Sequence, residues 1–196
     1  MPEKNIPSKI IFATNNLNKV IEIRQSLKEG FKILSLKEAK INIEIDEPFF
    51  TLEENALQKA KTIYELSSQP CFSEDTGLFA EALNGAPGVR SARFAGENAS
   101  NEENIDKLLS LLPLNNRTAY FKTVVCYISK TGIKYFDGEC YGKIITEKRG
   151  SKGFGYDSVF IPDGSEKTFA EMDIQEKNKF SHRKKAVDKF IKYLNG

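Results

Sequence analysis

The sequence is short of most features that would place it in a class at a glance. No apolar run approaches the roughly 18 residues needed to span a bilayer, and the stretch from Met1 to Lys9 has no apolar centre and resembles no secretory leader. Neither a membrane protein nor a membrane partner is expected. Net charge is only +2, from 29 Lys and Arg against 27 Asp and Glu, so the strong basic excess of a dedicated nucleic-acid binder is missing. The single histidine, His182, excludes a metal site built on several imidazoles. Three cysteines are an odd number and fit neither a disulfide framework nor a zinc-ligand pattern. Cys71, Cys126 and Cys140 each lie in a strand-like stretch, which predicts reduced core thiols in a cytoplasmic protein. Neither a Walker A loop nor a Gly-x-Gly-x-x-Gly dinucleotide fingerprint is present.

What is present is enough for a sizeable core. With 196 residues, 40% apolar and 29% charged, the chain has the composition of one globular domain over residues 1–196. No repeat, low-complexity tract or linker interrupts it. Lys9 to Thr14 reads as a buried strand, and the helix after it places Val20, Ile23 and Leu27 on one face. Phe31 to Leu36 alternates as a second strand. Thr51 and Glu54 form a capping-box pattern for a helix to about Ser67, burying Leu52, Ala56, Ala60 and Ile63. Ser100 and Glu103 repeat the device before Ile105, Leu108, Leu109 and Leu112. Thr118 to Ser129 alternates at length, and Gly132 turns it into a partner strand. Asp157 to Ile161 reads as a further strand. Ser181 is placed to cap a last helix through Ala186, Val187, Phe190 and Leu194. Alternating helices and strands followed by a long hairpin predict an α/β fold with helices packed on a mixed sheet.

Four segments carry polar residues that a core does not need. Ser73-Glu74-Asp75-Thr76-Gly77-Leu78 follows the apolar Pro70-Cys71-Phe72, where a strand is expected to give way to a turn. Paired carboxylates there could hold Mg²⁺, which takes one or two carboxylates and fills its other positions with water and phosphate oxygens; an ordinary acidic turn is the alternative. Thr14, Asn15, Asn16, Leu17, Asn18 and Lys19 lie between a strand and a helix N-terminus, where free N–H groups and a lysine can receive phosphate; an Asn-rich connection is the alternative. Gly153-Phe154-Gly155-Tyr156-Asp157 interleaves glycine with aromatics, as suits a loop lying against a planar base, or a plain turn. Ser181-His182-Arg183, with Lys177 upstream, offers donors to a base carbonyl and a phosphate. The crowd of basic residues in the last twenty positions reads equally as a solvated helix face or an anion site.

In order and spacing these segments resemble the inosine triphosphate pyrophosphatase family, the Ham1/RdgB-like enzymes that hydrolyse non-canonical purine nucleoside triphosphates. The resemblance runs through Thr14 to Lys19 with Glu22, Thr51 to Ala56, Ser73 to Leu78, Leu83 to Gly88 with Ser91-Ala92-Arg93, Gly153 to Asp157, and Ser181 to Arg183. It implies an elongated mixed β-sheet flanked by helices, in two lobes with a central cleft, and a homodimer. It also implies Mg²⁺-dependent hydrolysis of ITP, dITP or XTP at the α-phosphate, giving the monophosphate and pyrophosphate. Carried over by position, Thr14 to Lys19 would grip the triphosphate and Asp75 would be general base and metal contact. Asp46, Glu47 and Glu74 would complete the metal set. Thr76, Phe154, Gly155, Tyr156, Asp157, Lys177, His182 and Arg183 would hold the substrate. Glu74 stands where relatives more often have aspartate, Ser158 where proline is usual, and the upstream ligand falls among Glu44, Asp46 and Glu47. An aspartyl-phosphate phosphatase is disfavoured because Ser73 stands where the nucleophilic aspartate would be needed.

Overall fold

The computed structural model describes residues 9–26 and 32–196. The readings on Met1 to Ser8, Leu27 and Phe31 lie outside them. Among the described residues seven strands and five α-helices follow in the order β1 (Lys9–Phe12), α1 (Leu17–Ser26), β2 (Lys32–Ser35), α2 (Leu52–Ser67), β3 (Cys71–Ala80), β4 (Pro87–Gly88), α3 (Asn101–Leu111), β5 (Thr118–Ser129), β6 (Gly132–Ile144), β7 (Phe160–Pro162), α4 (Ile174–Asn178) and α5 (His182–Asn195). The sheet is mixed, with strand order β2-β1-β3-β5-β6-β7 and β4 paired to β3. Strand β1 runs parallel to β2 and β3, whereas β4 on β3 and β7 on β6 are antiparallel.

Local chemistry explains the element ends. The Thr51 side chain accepts the Glu54 N–H and opens α2, and Ser68 closes it in a left-handed conformation. Ser100 and Glu103 make a complete capping box on α3. Strand β1 stops at Phe12, short of the expected Thr14, because the Thr14 hydroxyl accepts the Asn16 N–H and turns the chain. The expected strand from Asp157 is instead a 3₁₀ turn, Gly155–Ser158, followed by β7. There the Asp157 carboxylate accepts the Phe154 N–H and closes a loop that an extended strand would pull apart.

The chain forms two compact units. The first takes residues up to Asp75, then Thr123–Gly138 and Arg183–Gly196. Its core joins Ile10, Phe12 and Phe72 of the strands to Val20 and Ile23 of α1 and to Ala186, Val187 and Phe190 of α5. Phe12 and Phe72 stack with centroids 4.4 Å apart. The second takes Thr76–Lys122 and Glu139–His182, around Leu78, Ile105, Leu108, Phe121, Phe160 and Phe169. The three cysteines are buried thiols; burial pushes Cys71 and Cys126 up to about 12, which keeps them unreactive.

After β2, the Glu38 carboxylate accepts the Ser35 N–H and hydroxyl and pairs with Arg24. The Ser35 backbone bond, then Arg24, bring its pKa down from 4.5 to about 2. Because the folded value lies below the unfolded one, this contribution is complete above pH 4.5 and fades as the pH falls towards 2. The urea midpoint advantage of the wild type over Glu38→Gln should therefore be constant above about pH 5 and shrink steadily below it; an advantage unchanged at about pH 2.5 contradicts the assignment.

Candidate functional site

Ser73 to Leu78 lie inside β3 rather than in a turn after it. The correction has a physical reason: the polar groups of this stretch are met within the fold, so the strand continues. The Ser73 hydroxyl donates to the Ala56 carbonyl. Glu74 is 1% exposed and Asp75 5%, an arrangement that costs several kcal/mol per charge unless cations compensate it. Gly77 lets β4 approach, since a Cβ there would sit 2.5 Å from the Gly88 carbonyl oxygen.

Three cations supply the compensation, all in the first unit. Lys19 of α1 reaches Glu74 Oε1 at 2.8 Å, and Arg183 of α5 reaches Glu74 Oε2 through Nε at 3.0 Å while Nη1 pairs with Glu22. Lys59 of α2 reaches Asp75 Oδ1 at 3.0 Å and also pairs with Glu47. Asn55 of α2 donates to Asp75 Oδ2 at 3.4 Å.

The two neighbouring carboxylates are thereby driven apart in acidity. Burial alone would raise Glu74, but Arg183 and Lys19 outweigh it and hold the group well below the usual carboxylate range. At Asp75 burial dominates; Lys59 opposes it, Glu47 adds repulsion, and the net shift is upward. For Lys59, burial works to lower the pKa, but Asp75 and Glu47 prevail and it rises. Two adjacent titratable groups pushed in opposite directions are the usual sign of divided labour, one a fixed anion and one a proton acceptor.

The expected metal set is not assembled as written. Among the described residues no three His, Cys, Asp or Glu side chains gather into a metal-binding group. Asp46 and Glu44 are exposed, whereas Glu47 is half-buried and drawn with Asp75 onto the Lys59 ammonium. Both oxygens of Glu74 already face cations. Two carboxylates converging on one positive group suit Mg²⁺, which needs no more than that from protein. Of the expected set, Glu47 and Asp75 are the two that share one cationic partner.

The helix N-terminus is also more occupied than expected. The Asn16 side chain accepts the Asn18 N–H at 3.0 Å and the Lys19 N–H at 3.3 Å, so those two donors are already used. Asn15 donates to the Ile43 carbonyl at 2.9 Å. Asn15, Asn16, Leu17 and Asn18 are exposed, and Thr14 and Lys19 are half-buried.

The other predicted residues belong to the second unit. Lys177 Nζ donates to Asp157 Oδ2 at 2.7 Å, and the same oxygen accepts the Phe154 N–H at 3.0 Å. Lys177 also stands 5.6 Å from the Phe154 ring centroid and 5.2 Å from that of Phe169. Gly153 has φ +74° and its missing Cβ would collide with the Asp157 carboxylate, so this loop needs glycine. Tyr156 is buried and donates through its hydroxyl to the Ser91 carbonyl at 2.8 Å. His182, which a surface helix start would have exposed, is 2% exposed and stacks on Phe121 at 4.6 Å. Thr76 is half-buried and Gly155 bends the 3₁₀ turn with φ +58°. The predicted residues thus form two groups, Lys19, Glu47, Glu74, Asp75 and Arg183 in one unit and Phe154, Tyr156, Asp157, Lys177 and His182 in the other.

Sequence reasoning missed Lys59 and Asn55. Their signal was readable: both fall on the buried stripe of α2 with Leu52, Ala56, Ala60 and Ile63, where a polar side chain at core spacing needs an interior partner.

Comparison with known proteins places these features in context. A family model described as the Ham1 family matches residues 10–193. The dITP/XTP pyrophosphatase of Christiangramia forsetii is 45% identical over 188 residues, covering 95% of this chain and 99% of that protein. The dITP/XTP pyrophosphatase of Porphyromonas gingivalis is 46% identical, covering 95% and 97%. The solved structure of the Staphylococcus aureus Ham1 protein superposes with a TM-score of 0.85 at 34% identity, covering 96% of this chain and 98% of that one.

The side chains of Lys177 and Asp157 are 6% and 5% exposed. Removing one member of such a pair strands the other charge, so Lys177→Met should cost about 3–5 kcal/mol in chemical denaturation. Adding Asp157→Asn to that variant should restore part of the loss; a double variant no more stable than the single one refutes the pairing.

Proposed function

This chain belongs to the Ham1 family, and we propose that it is a nucleoside triphosphate pyrophosphatase acting on non-canonical purine nucleoside triphosphates such as dITP, XTP and ITP. The observation that carries the reading is the adjacent pair on β3, with Glu74 locked as an anion and Asp75 made more basic. Hydrolysis between the α- and β-phosphorus atoms leaves the nucleoside monophosphate and pyrophosphate. Asp75 takes the proton of the attacking water at its carboxylate, which Lys59 and Asn55 hold from both oxygens. A proton acceptor in that position contributes typically about 10²–10⁴-fold.

Family membership also carries the proposals of one working domain, a cytoplasmic location and a homodimer. Mg²⁺, held by Glu47 and Asp75, would supply charge neutralisation on the phosphates. Lys19 brings a further positive charge beside the N-terminus of α1, where Thr14 to Asn18 would grip the phosphates with the Asn16 cap giving way. In the second unit, Phe154 to Asp157 offer a loop with an aromatic face, and Thr76, Lys177 and His182 stand as further substrate contacts. Arg183 bonds to Glu74 and Glu22, so it contributes to charge balance more than to direct contact. Hypoxanthine and xanthine present an acceptor at the 6-position where adenine presents a donor. A site of fixed donors rejects such a mismatch by about 10⁴-fold.

A panel of nucleoside triphosphates with Mg²⁺ tests the proposal. dITP and XTP should release pyrophosphate far faster than ATP; release of orthophosphate alone overturns the reading. Asp75→Asn should retain substrate affinity and lose about 10²–10⁴-fold in turnover, so near-normal turnover removes Asp75 as the proton acceptor.

A further inference from the structure

We infer that Asn55 is a positioning residue, pinning the segment that carries Glu47 and the carboxylate of Asp75 to a single point. The inference rests on the reading of Asp75 as proton acceptor. Asn55 is fully buried on the inner stripe of α2, a costly place for an amide unless its bonding capacity is used. Its Oδ1 accepts the Phe49 N–H at 3.0 Å, and its Nδ2 donates to the Phe49 carbonyl at 3.2 Å and to Asp75 Oδ2 at 3.4 Å.

The geometry fixes which way the amide points. Phe49 offers one donor and one acceptor on its own backbone, and a flipped side chain would face each with its like. The nitrogen is therefore the atom turned to Asp75, and it binds the form of that group which accepts protons. Residues 42–49 have no regular secondary structure, so side-chain ties set their place. Asn15 holds the Ile43 carbonyl and Lys59 holds the Glu47 carboxylate. Asn55 instead clamps the backbone two residues beyond Glu47, through both polar groups of one residue. Lys59 and Asn55 also take one oxygen each of Asp75, so the carboxylate plane is held at two points and not one. Freed of Asn55, Asp75 could rotate about Lys59 and Glu47 could drift from it, while the other residues proposed to contact the nucleotide would keep their places.

Two measurements test this. In the unaltered protein the Phe49 amide should exchange with solvent at least about tenfold more slowly than that of Phe50. Asn55→Leu, close in volume and lacking all three bonds, should lower kcat on dITP by about 10–100-fold with KM changed less than about threefold. A Phe49 amide exchanging as fast as Phe50, a wild-type kcat in Asn55→Leu, or a loss confined to KM overturns the inference. If Asn55→Leu does not fold, the exchange rates of the unaltered protein decide alone. If the wild type releases no pyrophosphate, the functional reading falls, and the exchange rates still judge the clamp.

Discussion

Two buried carboxylates next to each other on one strand are the constraint that the first unit is organised to satisfy. Side chains alternate along a strand, so Glu74 and Asp75 face opposite sides of the sheet, and their ion pairs are made with different cations. Each needs its own. Lys19 and Arg183 reach Glu74 from α1 and α5, and Lys59 reaches Asp75 from α2. Three helices are thus tied to one strand by charge, on top of the apolar contacts that Phe72 of the same strand makes in the core. Removing Lys59 would strip Asp75 of its ion pair, and removing Lys19 or Arg183 would leave Glu74 with one cation in place of two, each far more costly than losing a surface pair.

The two carboxylates meet unequal environments. Glu74 meets two full positive charges and stays ionised. Asp75 bonds to one, shared with Glu47, and retains enough of the burial effect to become a better base. The extra methylene of Glu74 carries its carboxylate farther from the strand, where one oxygen meets Lys19 and the other Arg183. Arg183 links the last helix to this arrangement, and His182 before it is spent on a stack with Phe121 in the second unit.

Features with a local cause were legible in the chain. Thr51 and Ser100 cap helices where expected, because a cap needs only a side-chain oxygen and N–H groups within one turn. The hairpin of β5 and β6 follows from alternation and a tight Lys130-Thr131 turn. The error at Ser73 to Leu78 arose because charge usually means solvent; in β3 the cations that make burial possible come from positions far along the chain. Asp157 was misplaced in a strand for a similar reason, since its bonds to Phe154 and Lys177 draw it into a turn.

The sequence by itself determined most of the element types, the mixed α/β class and the candidate segments, because periodicity, caps and motif order are properties of neighbours along the chain. Only the tertiary structure decided which carboxylate is locked and which is basic. It also brought Glu47 and Asp75 onto the one Lys59 ammonium and set Asn55 against Asp75. Those outcomes depend on burial and on distances between groups remote in sequence, and an ionisable side chain has no fixed character until the fold sets both.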